Sequence, residues 1–439
     1  MSVSASAARH GRGASAPRRA ALALLALGLA VLTAPPSVAS AATAAQQGAQ
    51  GAALVTPPIS ARSAVLIEAS TGMRLAALHP DAELPMASTT KLMTALVVLE
   101  RAPLGQIVSV PPYSPGPAES VMGLFTGERI TIRDLMVGML LPSANDAAHA
   151  LGAVVGGSVS RFVGWMNERG RELGLDHTHY DSPVGLDDPG TFTTADDLVH
   201  LARVLRSLAF FRQTVSRHAV TIGIGAGRKT VVNHNDLVGR IPWVNGVKTG
   251  HTNGAGYVLV GSGSAQGVTL ISAVIGDPDP SSRDADTLTL LRYGFRLVRV
   301  ATPVRAGELL ATRPVNGHSG QRVDLVAARD LSGVVRRGAA IDRVVVAPTQ
   351  LKGPLPAGSQ VGEVIVRSGG RELGRDPLRV RTAVPAPSSV LSGVVLPAVI
   401  AILLLGGGTL VGVRRRHDPR PNGRGEDHLP AEHRRERPA

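Results

Sequence analysis

The order of apolar and polar residues divides the chain into segments of different kinds. Residues 20–32 form an unbroken apolar run of thirteen, and residues 390–413 a charge-free run of 24. Between these runs, Ser63–Glu68 reads as a strand, Ser70, Thr71 and Gly72 as a turn, and residues 73–78 as a returning strand, together a hairpin. Apolar positions then recur at helical spacing over 88–100, 131–141, 158–174 and 193–207. Past them the pattern is that of two adjacent strands, 256–263 and 268–276, followed by an amphipathic helix over 281–300. Strands on both sides of a helical block predict an α+β fold with a sheet covered by helices. From 302 to 381 only short strands are predicted, at 322–326, 343–347, 362–366 and 378–381, separated by Gly and Pro turns, so a small β-rich domain follows.

The two apolar runs differ in their flanks. Arg18 and Arg19 precede the first, and Pro35, Pro36 and the small residues Val38, Ala39, Ser40 and Ala41 follow it, which predicts a secretory signal peptide, 1–41, removed after Ala41. Thirteen residues are too few to cross a bilayer. The second run is long enough, about 36 Å as a helix, and Arg414, Arg415 and Arg416 follow it at once. Positive flanks stay on the cytoplasmic side. The expectation is a cell-membrane protein with one C-terminal transmembrane helix, 390–413, a basic cytoplasmic tail, 414–439, and the bulk of the chain outside the cytoplasm. Residues 42–60 read as a flexible linker and 383–389 as a stiffer one. Two folded parts remain, 61–300 and 301–382.

Composition removes several classes of chemistry. The 439 residues include no cysteine, so disulfides, thiolate metal sites and cysteine nucleophiles are excluded. The net charge of +13 is concentrated at the ends: residues 1–41 carry four arginines and no acid, and residues 414–439 eight arginines against five acids. Residues 42–413 keep 34 basic and 28 acidic residues, and the whole chain has only twelve aromatics, so no nucleic-acid partner is expected. Of 46 cationic residues, 42 are arginine; the four lysines are Lys91, Lys229, Lys248 and Lys352. Lysine, unlike arginine, can give up its proton when desolvated.

Lys91 lies three residues after Ser88, so the two side chains share a helical face, with Ser88 at the helix start where free N–H groups favour negative charge. A serine beside a lysine of depressed pKa has a base for its proton and could attack a carbonyl. Taken alone, Ser-x-x-Lys also reads as an N-cap and a solvated lysine. Leu141, Pro142, Ser143, Ala144, Asn145 and Asp146 form a loop between helical patterns, where Ser143 could pass a proton and the Asn145 amide could orient Lys91 and a substrate carbonyl. Gly246, Val247, Lys248, Thr249 and Gly250 stand before the strand 256–263. There Lys248 and Thr249 could hold a substrate carboxylate, Gly250 could let a substrate backbone lie close, and the N–H groups of Ser88 and His251 could receive an oxyanion.

Ser-x-x-Lys, Ser-x-Asn and Lys-Thr-Gly in this order resemble the motif set of penicillin-binding proteins and class A β-lactamases. The chain resembles the low-molecular-mass penicillin-binding proteins, serine-type D-alanyl-D-alanine carboxypeptidases, closely over 61–300 and more loosely over 301–382. The resemblance implies a penicillin-binding/β-lactamase-like catalytic domain, with antiparallel sheet and helical block, followed by the small β-rich domain. It implies Ser88 as nucleophile and acyl carrier, Lys91 as general base, Ser143 as proton shuttle, Asn145 as orienting group, and Lys248, Thr249, Gly250 and His251 as the substrate-binding side. The implied partners are peptidoglycan stem peptides, β-lactam antibiotics as covalent inhibitors, and the cytoplasmic membrane. No metal or cofactor is expected: His149, His177 and His179 lack a third ligand at metal spacing, and Asp277, Pro278, Asp279 and Pro280 read as a turn. A class A β-lactamase would need a glutamate for deacylation, and Glu172, which closes a predicted helix, reads as structural. A wall-binding scaffold without turnover is the non-enzymatic alternative, against which the intact motifs argue.

Overall fold

A computed structural model describes residues 55–386 apart from Gly225. The expected signal peptide, most of the expected first linker, the expected span 390–413 and the expected tail lie outside the described residues. Among the described residues no helix is long and apolar enough to cross a membrane.

The strands in chain order are β1 (Ser63–Glu68), β2 (Arg74–Leu78), β3 (Ile107–Ser109), β4 (Arg129–Thr131), β5 (Ala219–Ile224), β6 (Gly227–Val232), β7 (Val244–Thr252), β8 (Gly256–Ala265) and β9 (Val268–Asp277). Five of them make one antiparallel sheet in the order β2-β1-β9-β8-β7. Every residue of β1 is buried, and they alternate between two cores. Val65 and Ile67 face the helical block, together with Ile271 and Ala273 of β9. Ala64 and Leu66 face the other way, onto Leu290 and Leu291 of the helix Pro280–Leu297. The sheet is covered on both faces, so β1, expected as an alternating strand, is buried at every position instead of at every second one.

The helical block contains Lys91–Arg101, Ile132–Leu140, Asn145–Gly156, Val159–Glu172 and Ala195–Ser207. Thr131, Ser158 and Thr194 accept an N–H at the starts of three of them, from Asp134, Arg161 and Asp197, the N-cap role that Ser and Thr fill. These four patterned segments fall where periodicity predicts them. The helix Asn145–Gly156 does not: its sequence, rich in Ala and Gly, has too little polar contrast to show a period, because the helix lies between neighbours and buries most of its residues. Its Gly156 leaves space for Phe162, whose Cβ would lie 2.7 Å from an added Cβ.

The remaining strands are β10 (Val298–Val304), β11 (Leu309–Pro314), β12 (Arg322–Ala327), β13 (Leu331–Arg336), β14 (Ile341–Val346), β15 (Gln360–Ser368) and β16 (Arg371–Val380). They form a β10-β13 pair and a sheet in the order β11-β12-β16-β15-β14 around a separate core that includes Val323, Leu325, Val364, Val366 and Leu378. The sequence pattern finds parts of four of these strands and misses β10, β11 and β13, whose exposed residues break the alternation. Strand β13 touches the first part through Val334, which belongs to the core of Ala64, Leu66 and Leu290, and through Arg336, which donates to the Arg74 carbonyl at 2.8 Å.

Candidate active site

The chain enters the site through a 3₁₀ turn, Ala87–Thr90, that precedes the helix Lys91–Arg101. Ser88 is therefore not an N-cap: it projects from a tight turn whose first residue, Ala87, has φ +48°, a left-handed conformation that non-glycine residues rarely adopt and that clusters at functional sites. Thr89 and Thr90 pin the turn by donating to the carbonyls of Met86 and Ala87, at 2.6 and 2.9 Å. Gly250 of β7 packs against it so closely that an added Cβ would lie 3.0 Å from Ala87 Cβ and 3.1 Å from Ser88 N. Gly185 lies closer still, with φ +83° and an added Cβ 2.2 Å from Ala87 O and 2.5 Å from Thr90 Oγ1.

Lys91 is fully buried. Its Nζ is 2.8 Å from Ser88 Oγ, 2.7 Å from Asn145 Oδ1 and 2.6 Å from the Val184 carbonyl. The two carbonyl oxygens can only accept, so Nζ donates an N–H to each, and the same nitrogen lies within hydrogen-bond reach of the Ser88 hydroxyl, to which a neutral amine would present its lone pair. The amine is held well below the ordinary lysine value by burial first and by the charge of Lys248 second, with Glu119 opposing.

Ser143, Asn145 and Asp146 lie where the helix Asn145–Gly156 begins. Ser143 has φ +62°, which turns its hydroxyl toward β7; there Lys248 Nζ donates to Ser143 Oγ at 2.9 Å and to the Thr249 carbonyl at 2.8 Å. Burial and the nearby Arg283 push the Lys248 amine down to about 7. Asn145 Nδ2 donates to Glu119 Oε2 at 2.7 Å, and the Asn145 N–H to the Ser120 carbonyl at 2.7 Å. The Asp146 carboxylate accepts the N–H groups of Met122, Gly123 and Leu124 at 2.9, 2.9 and 3.0 Å, which ties the segment before β4 to the helix start.

The Lys-Thr-Gly segment is a strand in its own right, not a lead-in to one: Lys248, Thr249 and Gly250 lie in β7, paired with Val260, Leu259 and Val258. Glycines and a lysine hide it from sequence patterning, which expects β-branched and aromatic residues in strands. As the edge of the sheet, β7 offers unpaired backbone groups to an extended peptide. A cavity of about 400 Å³ opens there, lined by Ser88, Ser143, Thr249, Gly250 and His251, with Ser120, His234, Asp236 and Arg283 completing its wall. All eight residues singled out from sequence thus meet around one cleft.

Sequence reasoning missed Glu119, Val184 and Arg283. Val184 acts through its backbone, Glu119 sits in a Pro/Gly-rich segment without pattern, and Arg283 is one arginine of many. Glu172 does not line the cavity; it ends its helix and pairs with Arg169 at 2.9 Å. His177 and His179 lie beside Glu83 and Asp181, and the His149 ring lies tilted against that of Tyr113. Asp277 ends β9 and Asp279 caps the helix Pro280–Leu297 by accepting the Ser282 N–H at 2.9 Å. Among the described residues no group of three His, Cys, Asp or Glu side chains could hold a metal ion.

The sequence model of the peptidase S11 family, D-alanyl-D-alanine carboxypeptidase, matches residues 50–279. The D-alanyl-D-alanine carboxypeptidase DacA of Haemophilus influenzae is 31% identical over 345 residues, 74% of this chain and 86% of that protein. DacF of Bacillus subtilis is 27% identical over 369 residues, 82% of this chain and 93% of its own. The crystal structure of penicillin binding protein 5 from Haemophilus influenzae superposes with a TM-score of 0.56 at 29% identity, covering 75% of this chain and 99% of that one. With its fold, cleft and motif order all accounted for, the chain belongs to the D-alanyl-D-alanine carboxypeptidase family, serine peptidases of the penicillin-binding type.

Proposed function

We infer that this protein is a serine-type D-alanyl-D-alanine carboxypeptidase that removes the terminal D-Ala from peptidoglycan pentapeptide stems through an acyl-enzyme on Ser88. The observation that carries the assignment of roles is the placement of Lys91 Nζ, 2.8 Å from Ser88 Oγ with Asn145 Oδ1 and the Val184 carbonyl as its other two partners; as a neutral amine it offers its lone pair to the Ser88 hydroxyl. Ser88 Oγ gives its proton to Lys91 Nζ and bonds to the carbonyl carbon of the penultimate D-Ala. The N–H groups of Ser88 and His251 receive the oxyanion. The C–N bond then breaks as the proton that Lys91 took is passed by way of Ser143 to the departing amine, so that terminal D-Ala leaves and Lys91 is neutral again. Water, losing a proton to Lys91, hydrolyses the ester and returns the hydrogen to Ser88.

The stem's terminal carboxylate meets Lys248, Thr249 and Arg283. Lys248 spends two of its three N–H groups on Ser143 and Thr249, leaving one for the ligand. A β-lactam enters the same cycle, but its broken amide nitrogen stays tethered to the acyl group, so the ester persists and the antibiotic is a covalent inhibitor.

The sequence at the two ends supports an extracytoplasmic enzyme: a signal peptide removed after Ala41, linkers at 42–60 and 383–389, a span at 390–413 and a basic tail at 414–439 on the cytoplasmic side. In this arrangement the part 61–300 is the catalytic domain, and 301–382 a small β-rich spacer between it and the membrane.

The test is to label the purified chain with a penicillin, digest it and locate the adduct by mass spectrometry, alongside D-Ala release from a stem pentapeptide. The adduct is expected on Ser88, and Ser88→Ala should lose both activities while remaining folded. An adduct on another serine overturns the assignment.

A further inference from the structure

The geometry points to Glu119 as a positioning residue of this reaction: through Asn145 it fixes which end of the amide Lys91 meets, and it sets a carboxylate behind the amide that holds the amine facing Ser88. This rests on Lys91 being the base. It deepens that reading with a residue outside the three motifs.

An asparagine amide in a cleft has two orientations, and only one puts Oδ1 on Lys91. Glu119 Oε2 accepts from Asn145 Nδ2 at 2.7 Å; a carboxylate cannot donate, so the flipped amide would set two acceptors against each other. The carboxylate is itself held by three donors: Asn145 and the Tyr113 hydroxyl on Oε2, and the Gly116 N–H on Oε1 at 2.7 Å. Tyr113 is braced in turn by its ring against His149, 4.9 Å between centroids. A chain of contacts therefore runs Tyr113, Glu119, Asn145, Lys91, Ser88.

The charge acts on the same amine. Facing Lys91 are Lys248 from β7 and Glu119 from the segment before β4, with Arg283 beyond Lys248 and Asp146 beyond Asn145. Burial and Lys248 drive the Lys91 proton off, and Glu119 is the anion that opposes them. Although burial disfavours its charge, Tyr113, Gly116, Asn145 and Lys91 hold the Glu119 carboxyl below its ordinary range, so it is ionised wherever the enzyme works. A base whose pKa has fallen too far accepts a proton weakly.

The experiment is the pH dependence of penicillin acylation for wild type, Glu119→Gln, Tyr113→Phe and Lys91→Arg, each normalised to its labelled or folded fraction. Losing the Glu119 charge lets the Lys91 pKa fall further, so the acidic limb of Glu119→Gln should move to lower pH. Its plateau should drop about tenfold, the worth of one hydrogen bond to a charged group. Tyr113→Phe keeps the charge and should keep the wild-type limb with a smaller loss of rate. A Glu119→Gln limb that coincides with wild type overturns the proposal, as does an equal downward shift in Tyr113→Phe, which would trace the effect to loop disorder. If Glu119→Gln does not fold, Glu119→Asp, which retains the charge, takes its place: a wild-type limb at reduced rate supports the role, and a lowered limb overturns it. Lys91→Arg separates the two readings. If it acylates like wild type, the base assignment fails; if it is inactive while the Glu119→Gln limb stays put, only the role of Glu119 fails.

Discussion

Lys248 Nζ donates to Ser143 Oγ across 2.9 Å, joining the edge strand of the sheet to the start of a helix 105 residues earlier in the chain. With Lys91 on Ser88, the cleft holds two buried lysines, each against its own serine. Their surroundings differ. Lys91 meets two carbonyl oxygens, with burial and the charge of Lys248 holding its amine well below the ordinary lysine value, whereas Lys248 meets Ser143 and the Thr249 carbonyl, with Arg283 nearby.

This difference predicts unequal tolerance to arginine. Lys91→Arg keeps a cation but cannot lose its proton, and general-base catalysis is worth about 10²–10⁴-fold, so acylation should fall by about that factor. Lys248→Arg can still hold a carboxylate and should lose less, with KM for the stem peptide raised as well as kcat lowered. Penicillin acylation and D-Ala release measured for both folded variants decide it. Equal activity of Lys91→Arg and wild type would remove Lys91 as the base.

The same pair predicts the alkaline side of the pH profile. Lys248 holds a carboxylate only when protonated, and its amine is pushed down to about 7, so kcat/KM for D-Ala release should decline as pH rises through that region. Bound substrate stabilises the charged form, so the decline in kcat should lie higher. Lys248→Arg stays charged, and its decline near 7 should vanish. If that decline persists in the variant, another group controls it.

Much of this was legible in the sequence. The three motifs located the cleft because chemistry there depends on residue type at fixed spacing, and β1, β8 and β9 were found as strands because their centres are rich in Val, Leu and Ile. What escaped had no residue-type signal. Val184 contributes a carbonyl that any residue carries. The helix Asn145–Gly156 is too evenly buried to show a period. Glu119 gains its place only when the segment before β4 folds back onto Asp146, a contact between residues more than twenty apart that local patterning does not see.

A chain ending at Ala386 should be secreted in soluble form and still be acylated by penicillin, since every cleft residue lies well before that point and the charge-free run lies after it. Fractionating cells that express it, followed by labelling of the medium, is the measurement. Retention in the membrane would mean that the first apolar run is an uncleaved anchor.

The close approach of β7 to the nucleophile's turn makes the last prediction. An added Cβ at Gly250 would stand 3.0 Å from Ala87 Cβ, 3.1 Å from Ser88 N and 3.3 Å from the Met86 carbonyl. These atoms belong to a turn already fixed by Thr89 and Thr90, so it cannot retreat without moving Ser88 relative to Lys91. Overpacking of this kind costs about 1–3 kcal/mol, and displacement of a nucleophile by a fraction of an ångström is felt in rate before it is felt in stability. Gly250→Ala should therefore acylate about tenfold more slowly or worse, while melting only a few degrees lower. Gly164 provides the contrast: it lies inside the helix Val159–Glu172 with nothing within 4 Å of an added Cβ. Gly164→Ala should be stabilising by about 0.5–1 kcal/mol, because alanine loses less freedom in a helix, and should acylate like wild type. Stopped-flow acylation and thermal melting of both variants test the point. A Gly250→Ala enzyme with wild-type acylation would show that β7 can slide away from the turn and that this contact does not set the position of Ser88.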